Sequence, residues 1–482
     1  MGSKRKRAEP SGAAAKEEPA VTKKSKTAAE PFTIQIVAGS YDRVLHGVTA
    51  TVSPDDEVEF ADTFLFNAHN SAIRCLALSP VSAPEPGKGQ KVMLATGSTD
   101  ERINVFNISA HPPKKQDKDL LSVIAPRKIL ENPRNREVGT LLHHSSTVTK
   151  LSFPTKSKLI SASEDSTIGV TRIRDMTLLS SIKVPIPKPL GRPSGDTAAL
   201  GATPAGVNDF AVHPSMKLMI SVSKGERSMR LWNLMTARKA GVLNFGRDIL
   251  QEIGEARHSS GEGRSILWHP SQNGDEFCVG FDRDILVFGM DGTSKCRVMP
   301  DHKTKIHEFC YITTDDEESV LLAVATEDGR IMFFSTSPED LMESKSSGDK
   351  KAPQLQVAKF VAQMGGKEAG VQGRIKDFSV LRPSHDPESL YFTCGSSDGK
   401  IRIFKTSVGE LNKAKKGKEA KRVGKSLGTY ETQNRITCLE AFVMIPRPEG
   451  VEESEDEFED VSSDDDEADD QDEDEDEEDD DE

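Results

Sequence analysis

One short pattern occurs seven times along this chain and leaves little freedom in how it can fold. An acidic residue is followed three positions later by an aliphatic residue, and six positions later by an aromatic or apolar slot. The copies are Asp42–Leu45–Val48, Asp100–Ile103–Phe106, Asp165–Ile168–Thr171, Glu226–Met229–Trp232, Asp282–Ile285–Phe288, Asp328–Ile331–Phe334 and Asp398–Ile401–Phe404. In five copies a hydroxyl stands two positions before the acid: Ser40, Ser98, Ser163, Thr326 and Ser396. A strand that ends in a tight turn and hands over to a strand running into a buried aromatic is the unit of a WD-repeat β-propeller blade. Seven units spread over 482 residues therefore predict an all-β, seven-bladed propeller. Such a ring is one domain, because it is stable only when every blade is present.

The ends read differently from the middle. Residues 1–31 are rich in Ala, Lys, Glu and Pro, and residues 445–482 are dominated by acids, so both are expected to be disordered tails flanking a propeller over 32–444. Residues 452–482 hold 24 acids and no Lys or Arg; set aside, they turn the chain's net charge of −15 into +9 for the remainder. The six cysteines (Cys75, Cys278, Cys296, Cys310, Cys394 and Cys438) show no C-x-x-C spacing. They read as small apolar core residues of a reducing compartment. No apolar run reaches the ~20 residues of a membrane span and the start lacks a signal-peptide core, which predicts a soluble intracellular protein.

The acid-to-acid spacings are 58, 65, 61, 56, 46 and 70 residues, against a usual blade repeat of ~40–45. The excess falls in insertions at 81–90, 111–137, 185–203, 246–263, 338–357 and 406–424, all rich in Pro, Gly, Lys and Ser and expected as loops. At the C-terminal end RITCLEAFVMI has no turn of its own, while the Asp42 unit has a turn and an inner strand pair but no preceding outer elements. The two ends are therefore expected to build a shared seventh blade, closing the sheet edge without a covalent bond.

His69, His143 and His144 precede Ser98/Asp100 and Ser163/Asp165, an arrangement open to a hydrolase triad or to a structural network. No G-x-S-x-G elbow, P-loop, H-E-x-x-H or metal-spaced Cys/His cluster accompanies them. The structural reading is preferred: His69, His143, Ser98, Asp100, Ser163, Asp165, Asp282, Asp328, Ser396 and Asp398 lock blade turns, and Trp232 and Trp268 fill the core. Neither catalysis, metal nor cofactor is expected. In the third copy Glu226 replaces the turn Asp and Lys224 takes the hydroxyl slot, and in the fourth Gly280 takes it; blades 3 and 4 should rely more on apolar packing.

Three charged segments carry the remaining signal. Lys4, Arg5, Lys6 and Arg7, with Lys23, Lys24 and Lys26, resemble a two-part nuclear import signal. The loop holding Lys413, Lys415, Lys416, Lys418, Lys421, Arg422 and Lys425 carries one acid, Glu419, and suits non-specific contact with RNA phosphates or with the chain's own tail. The acidic tail is either a solubilising appendage or a polyanion for basic ribosomal-protein-like factors or histones. Ser454, Ser462 and Ser463 lie ahead of acids, a context acidophilic kinases accept.

The blade sequences IVAGSYDRVLHGV, GTLLHHSSTVTKLSF, KLISASEDSTI, GVNDFAVHP, SMRLWNLMTARKAGVL and RIKDF with GSSDGKIRIF resemble the PAK-interacting WD-repeat family, whose fungal members are called Mak11. The resemblance spans residues 34–443. It implies a non-enzymatic nucleolar factor for pre-60S assembly and rRNA processing, a monomeric propeller holding pre-ribosomal proteins and pre-rRNA. It also implies an alternative, a regulatory protein that binds and inhibits p21-activated kinases. A histone-binding adaptor is a third reading, suggested by the propeller and tail alone.

Overall fold

The computed structural model describes residues 31–447, apart from 84–88, 114–129, 131–134, 188–204, 256–259, 272–275, 302–303, 315–319, 344–354 and 418–419. Seven sheets, antiparallel but for one parallel added strand in each of two, account for its strands. Blade 1 shows the plan: Ile73–Leu78, Lys91–Ser98, Ile103–Ser109 and Arg136–Leu141 pair in chain order. The inner strand of each blade lines the axis, and most of these strands touch those of neighbouring blades. These inner strands are Ile73–Leu78, Val148–Ser152, Val207–Val212, Ser265–Trp268, Ile306–Thr313, Ile375–Leu381 and Ile436–Val443. The chain is a seven-bladed β-propeller.

The seventh sheet joins the two ends of the described chain. Phe32–Ser40, Val44–Val52 and Val58–Asn67 form its outer three strands, and Ile436–Val443 is the inner one. The register sets Ile34 against Val443, Ile36 against Ala441 and Ala38 against Leu439. One face of this sheet packs on Ile401, Ile403 and Tyr391 of blade 6, and the other on Ile73, Leu94 and Phe106 of blade 1. Apolar burial on both faces, not the ladder alone, seals the ring.

Three of the insertions expected as loops form regular structure, the first as the short helix Arg247–Glu252, which buries Leu250. The segment before blade 5's outer strand returns to blade 4, where Gln356–Val357 adds in parallel beside Ser294–Val298. After blade 6's third strand the chain forms the helix Val408–Lys415 and then Lys421–Arg422, which adds in parallel to Lys359–Gly365 of blade 5. The helix starts at Ser407, whose Oγ accepts the Glu410 N–H at 3.1 Å, and buries Val408, Leu411 and Ala414. These segments lap neighbouring blades together.

Six of the seven repeated turns fold as they do because one residue takes a left-handed conformation. That residue follows the acid in five copies: Arg43, Glu101, Ser166, Gly329 and Gly399 all have φ between 64° and 79°. The hydroxyl and the carboxylate then satisfy the backbone groups that the turn leaves open.

Candidate functional site

In blade 1, His69 Nδ1 lies 3.1 Å from Asp100 Oδ1, and its Nε2 lies 2.7 Å from Thr96 Oγ1. Asp100 also accepts the backbone N–H of Asn70 at 2.9 Å, while Ser98 Oγ donates to the Ala72 carbonyl at 2.9 Å. Serine and histidine thus serve the same turn without touching each other, an arrangement unlike a nucleophile and its base. Burial holds His69 below its usual range against the pull of Asp100, so the ring is neutral near pH 7. In blade 2 it is His144 that faces Asp165, at 3.3 Å, and Ser161, at 2.8 Å; His143 reaches Ser161, at 3.0 Å. Ser163 donates to the Ser146 carbonyl at 3.0 Å.

Three other blades close their turns with arginine, a feature that sequence reasoning missed. Asp398 pairs with Arg402 Nη2 at 2.8 Å and accepts from Ser396. Asp328 accepts Arg330 Nε at 2.7 Å, and Glu226 accepts Arg230 Nη2 at 2.6 Å. Burial works against the Asp398 charge, but Arg402 and Ser396 outweigh it and keep the carboxyl below its ordinary value. The third turn is therefore ionic rather than bare. Its hydroxyl also reappears one residue earlier than expected, as Ser223, since Ser223 pairs with Val207 as Ser98 does with Ile73. The Lys224 ammonium instead reaches Glu164 of blade 2. In blade 4, Asp282 turns outward to Arg264 and Lys305, at 3.2 and 3.1 Å, and the buried carboxylate is Asp284, 2.9 Å from Arg297. Trp232 and Trp268 are buried, donating to Ser221 Oγ at 2.8 Å and to the Ala211 carbonyl at 3.1 Å.

The axis carries a second constellation that no repeat alignment reveals. Six inner strands have a bulge near their start, at Arg74, Thr149, Asn208, His307, Lys376 and Thr437. The residues just beyond include Lys150, Asp209, Glu308 and Asp377, which with Glu440 form a charged belt of one cation and four carboxylates. Lys150 Nζ is 3.8 Å from Asp209, and Asp209 first, then Glu308, Asp377 and Glu440, hold the ammonium above its ordinary value. Burial pushes Asp209 up to about 6 and Glu440 up to about 7, and raises Asp377 as well.

These groups fasten blade to blade. Asp209 accepts the Ile266 N–H of the next inner strand at 2.9 Å, and Asp377 accepts that of Leu439 at 2.8 Å. Thr149, Asn208 and Thr437 each donate to the blade ahead, at Val207, Gly263 and Ile73, at 2.8, 2.8 and 2.7 Å. Among the described residues no group of three His, Cys, Asp or Glu is placed to hold a metal ion. None of their helices is long and apolar enough to cross a membrane. The six thiols are free; burial pushes Cys75 and Cys296 up to about 12 and keeps them protonated.

The basic loop is partly committed. Lys415 lies 3.7 Å from Asp340, Arg422 pairs with Glu368, and Lys425 is 3.4 Å from Asp56. Lys413 and Lys416 lie on and just after the helix, Lys421 begins the added strand, and Lys418 is outside the described residues. The import-like residues Lys4, Arg5, Lys6, Arg7, Lys23, Lys24 and Lys26, and the acidic run 452–482, also lie outside them.

The family model described as WD domain, G-beta repeat, matches residues 135–170, the outer strand of blade 1 and the start of blade 2. Protein MAK11 of Saccharomyces cerevisiae is 26% identical over 429 residues, covering 84% of this chain and 82% of its own length. The p21-activated protein kinase-interacting protein 1-like of Gallus gallus is 23% identical, covering 84% of this chain and 79% of its own. The chain is similar to these WD-repeat proteins over most of its length. The p21-activated protein kinase-interacting protein 1 of Homo sapiens extends the same likeness, 24% identical over 84% of this chain and 76% of itself. Each of these likenesses covers 84% of this chain, while the family model matches residues 135–170.

Proposed function

We propose that the chain is a non-enzymatic scaffold for nucleolar assembly of the large ribosomal subunit, holding proteins and pre-ribosomal RNA in place. The observation that carries this reading is the likeness to Protein MAK11 along 84% of the chain. The arrangement of the charged groups supports it. The turn acids are engaged with His, Arg or backbone partners, and the axial carboxylates Asp209 and Asp377 clasp neighbouring strands. A ring built this way offers rigid faces. Setting the tail aside, the net charge of +9 suits a ribonucleoprotein environment, and the 24 tail acids suit basic proteins there.

The test is gradient sedimentation of the tagged chain with sequencing of the RNA it carries. Co-migration with large-subunit precursors, lost after RNase, is the expected result; a light, RNA-free pool refutes it. The relatives named for interaction with p21-activated kinase favour a second reading, in which this chain binds and restrains such a kinase. That reading gains if the light pool holds the kinase.

A further inference from the structure

The bulge at the start of six inner strands presents one side chain at a recurring position. At Thr149, Asn208 and Thr437 that side chain clasps the carbonyl of the next blade. At Arg74, His307 and Lys376 the same position holds a cation or an imidazole instead, and Arg74 and Lys376 have no hydrogen-bond or ion-pair partner among the described residues. These three sit on blades 1, 5 and 6, to either side of blade 7, so they share one side of the channel mouth. Lys305, Arg374 and Arg435 precede the inner strands of blades 5, 6 and 7 and thicken the same arc. The crowding is mutual. Desolvation first, then Arg374, Arg435 and Lys305, hold Lys376 below its ordinary value. Burial, then Lys376, Lys305 and Arg374, bring His307 down to about 4 and leave it neutral at pH 7, with Nε2 buried and unpartnered.

The neighbouring acids do not neutralise this arc. Asp282 is shared between Arg264 and Lys305, and Glu327 is 3.0 Å from Arg374. Asp42, whose Oδ2 accepts the Arg435 N–H at 3.3 Å, offsets one more charge, so two of the three from Arg74, Lys376 and Arg435 remain in excess. Beyond them lies the carboxylate belt, which repels any polyanion that enters the channel, so a bound anion must lie across the mouth.

One further feature decides what kind of polyanion fits. Tyr41 is 59% exposed at the blade 7 turn, with the Arg435 guanidinium 5.7 Å from its ring centre. Beside it is a hollow of about 460 Å³ lined by Tyr41, Arg43, Asn70, Ser71, Arg74 and Thr99, together with Asp42 and Ala72. An open aromatic face flanked by arginines and small polar groups is what a nucleobase stacks on while the adjoining phosphates meet the cations. An acidic peptide would use the cations and leave the ring idle.

We propose that this arc of the channel mouth, from Lys305 through Lys376 and Arg435 to Tyr41 and Arg74, is a docking site for single-stranded RNA. The inference rests on the reading that RNA is among the chain's ligands. It places the contact on the ring's turn-bearing face rather than on the loop around Lys413–Lys425.

The test uses the full chain and a fluorescent single-stranded RNA of about 20 nucleotides, long enough to cross the mouth. Anisotropy is measured across a salt series. Replacing Arg74, Lys376 and Arg435 together by Gln should weaken binding at least tenfold at low salt and flatten the salt slope by about 2, at about 0.7 per lost contact. Tyr41→Ala should weaken binding about fivefold or more with the slope unchanged, because stacking releases no counterions. Lys413→Gln with Lys421→Gln should change affinity less than twofold. If the triple variant does not melt like the parent, Arg74→Gln and Arg435→Gln, both at exposed side chains, carry the slope test singly.

Unchanged RNA affinity in the mouth variants, or no binding by the parent chain, overturns the proposal. So does displacement of RNA by polyglutamate combined with a silent Tyr41→Ala, which would assign the arc to acidic protein segments. RNA binding through the arc by a chain that sediments free of precursors would refute the assembly role and leave this site standing.

Discussion

At the scale of single residues, the same carboxylate can stabilise or strain this ring depending on what faces it. Asp398 is held by Arg402, which is 5% exposed. Arg402→Met removes the cation and leaves the acid, and should cost about 2 kcal/mol in chemical denaturation, discounted for the partial exposure of Asp398. Adding Asp398→Asn to that variant should recover part of the loss. Glu440 is the opposite case, since burial and then Glu308 raise it against the pull of Lys150. Its folded value of about 7 lies above the ~4.3 of an unfolded glutamate. Its favourable contribution is therefore whole below about pH 4 and lost as pH rises through about 7. Glu440→Gln should stabilise the protein by about 1 kcal/mol at pH 8 and by nothing measurable at pH 4, a crossover that melts at the two pH values will show. The acids of the turns were legible in the sequence because a fixed spacing marks them. Their arginine partners were not, because Arg230 and Arg402 stand four positions on and Arg330 only two.

At the scale of elements, the bulged inner strands were invisible in the sequence. A bulge fixes where a side chain points and leaves its type free, and Arg74, Thr149, Asn208, His307, Lys376 and Thr437 share no chemistry. The helix Val408–Lys415 had a signal that went unused: Ser407 followed by Glu410 has the spacing of a capping box, inside a segment read as a loop for its lysines. Its packing is that of a core element. Leu411 is fully buried among Val361, Val408 and Phe404. Leu411→Ala should therefore cost about 2–4 kcal/mol in a denaturant titration, the usual range for a buried leucine, whereas a true surface loop would lose almost nothing. The blade 3 turn shows why alignment on the acid slipped. It has Gly225 in the left-handed position at φ 70° and one extra residue before strand pairing resumes at Met229, so counting back from Glu226 lands on Lys224 rather than Ser223.

At the scale of the whole molecule, closure is a contract between residues about 400 positions apart in the chain. Deleting residues 32–47 removes Phe32–Ser40, the strand that Ile436–Val443 pairs with, and the start of the next strand. The expected result is that the truncation loses the cooperative, monomeric melt expected of the intact chain, read by calorimetry and analytical sedimentation together. A monomeric and sharply melting truncation would show that six blades suffice. The order in which the strands are made adds a consequence for the cell. Phe32–Ser40 is synthesised first but receives its inner partner only when Ile436–Val443 emerges. At translation rates of about 5–20 residues per second that interval is on the order of 20–80 s. Throughout it, one edge of the first-made hairpin, carrying Ile34, Ile36 and Ala38, stays open to pairing with any other strand nearby. Each newborn chain thus passes through a period in which its survival depends on being shielded, and a shortage of holding chaperones should deplete this protein before it affects rings whose closing strands are made close together.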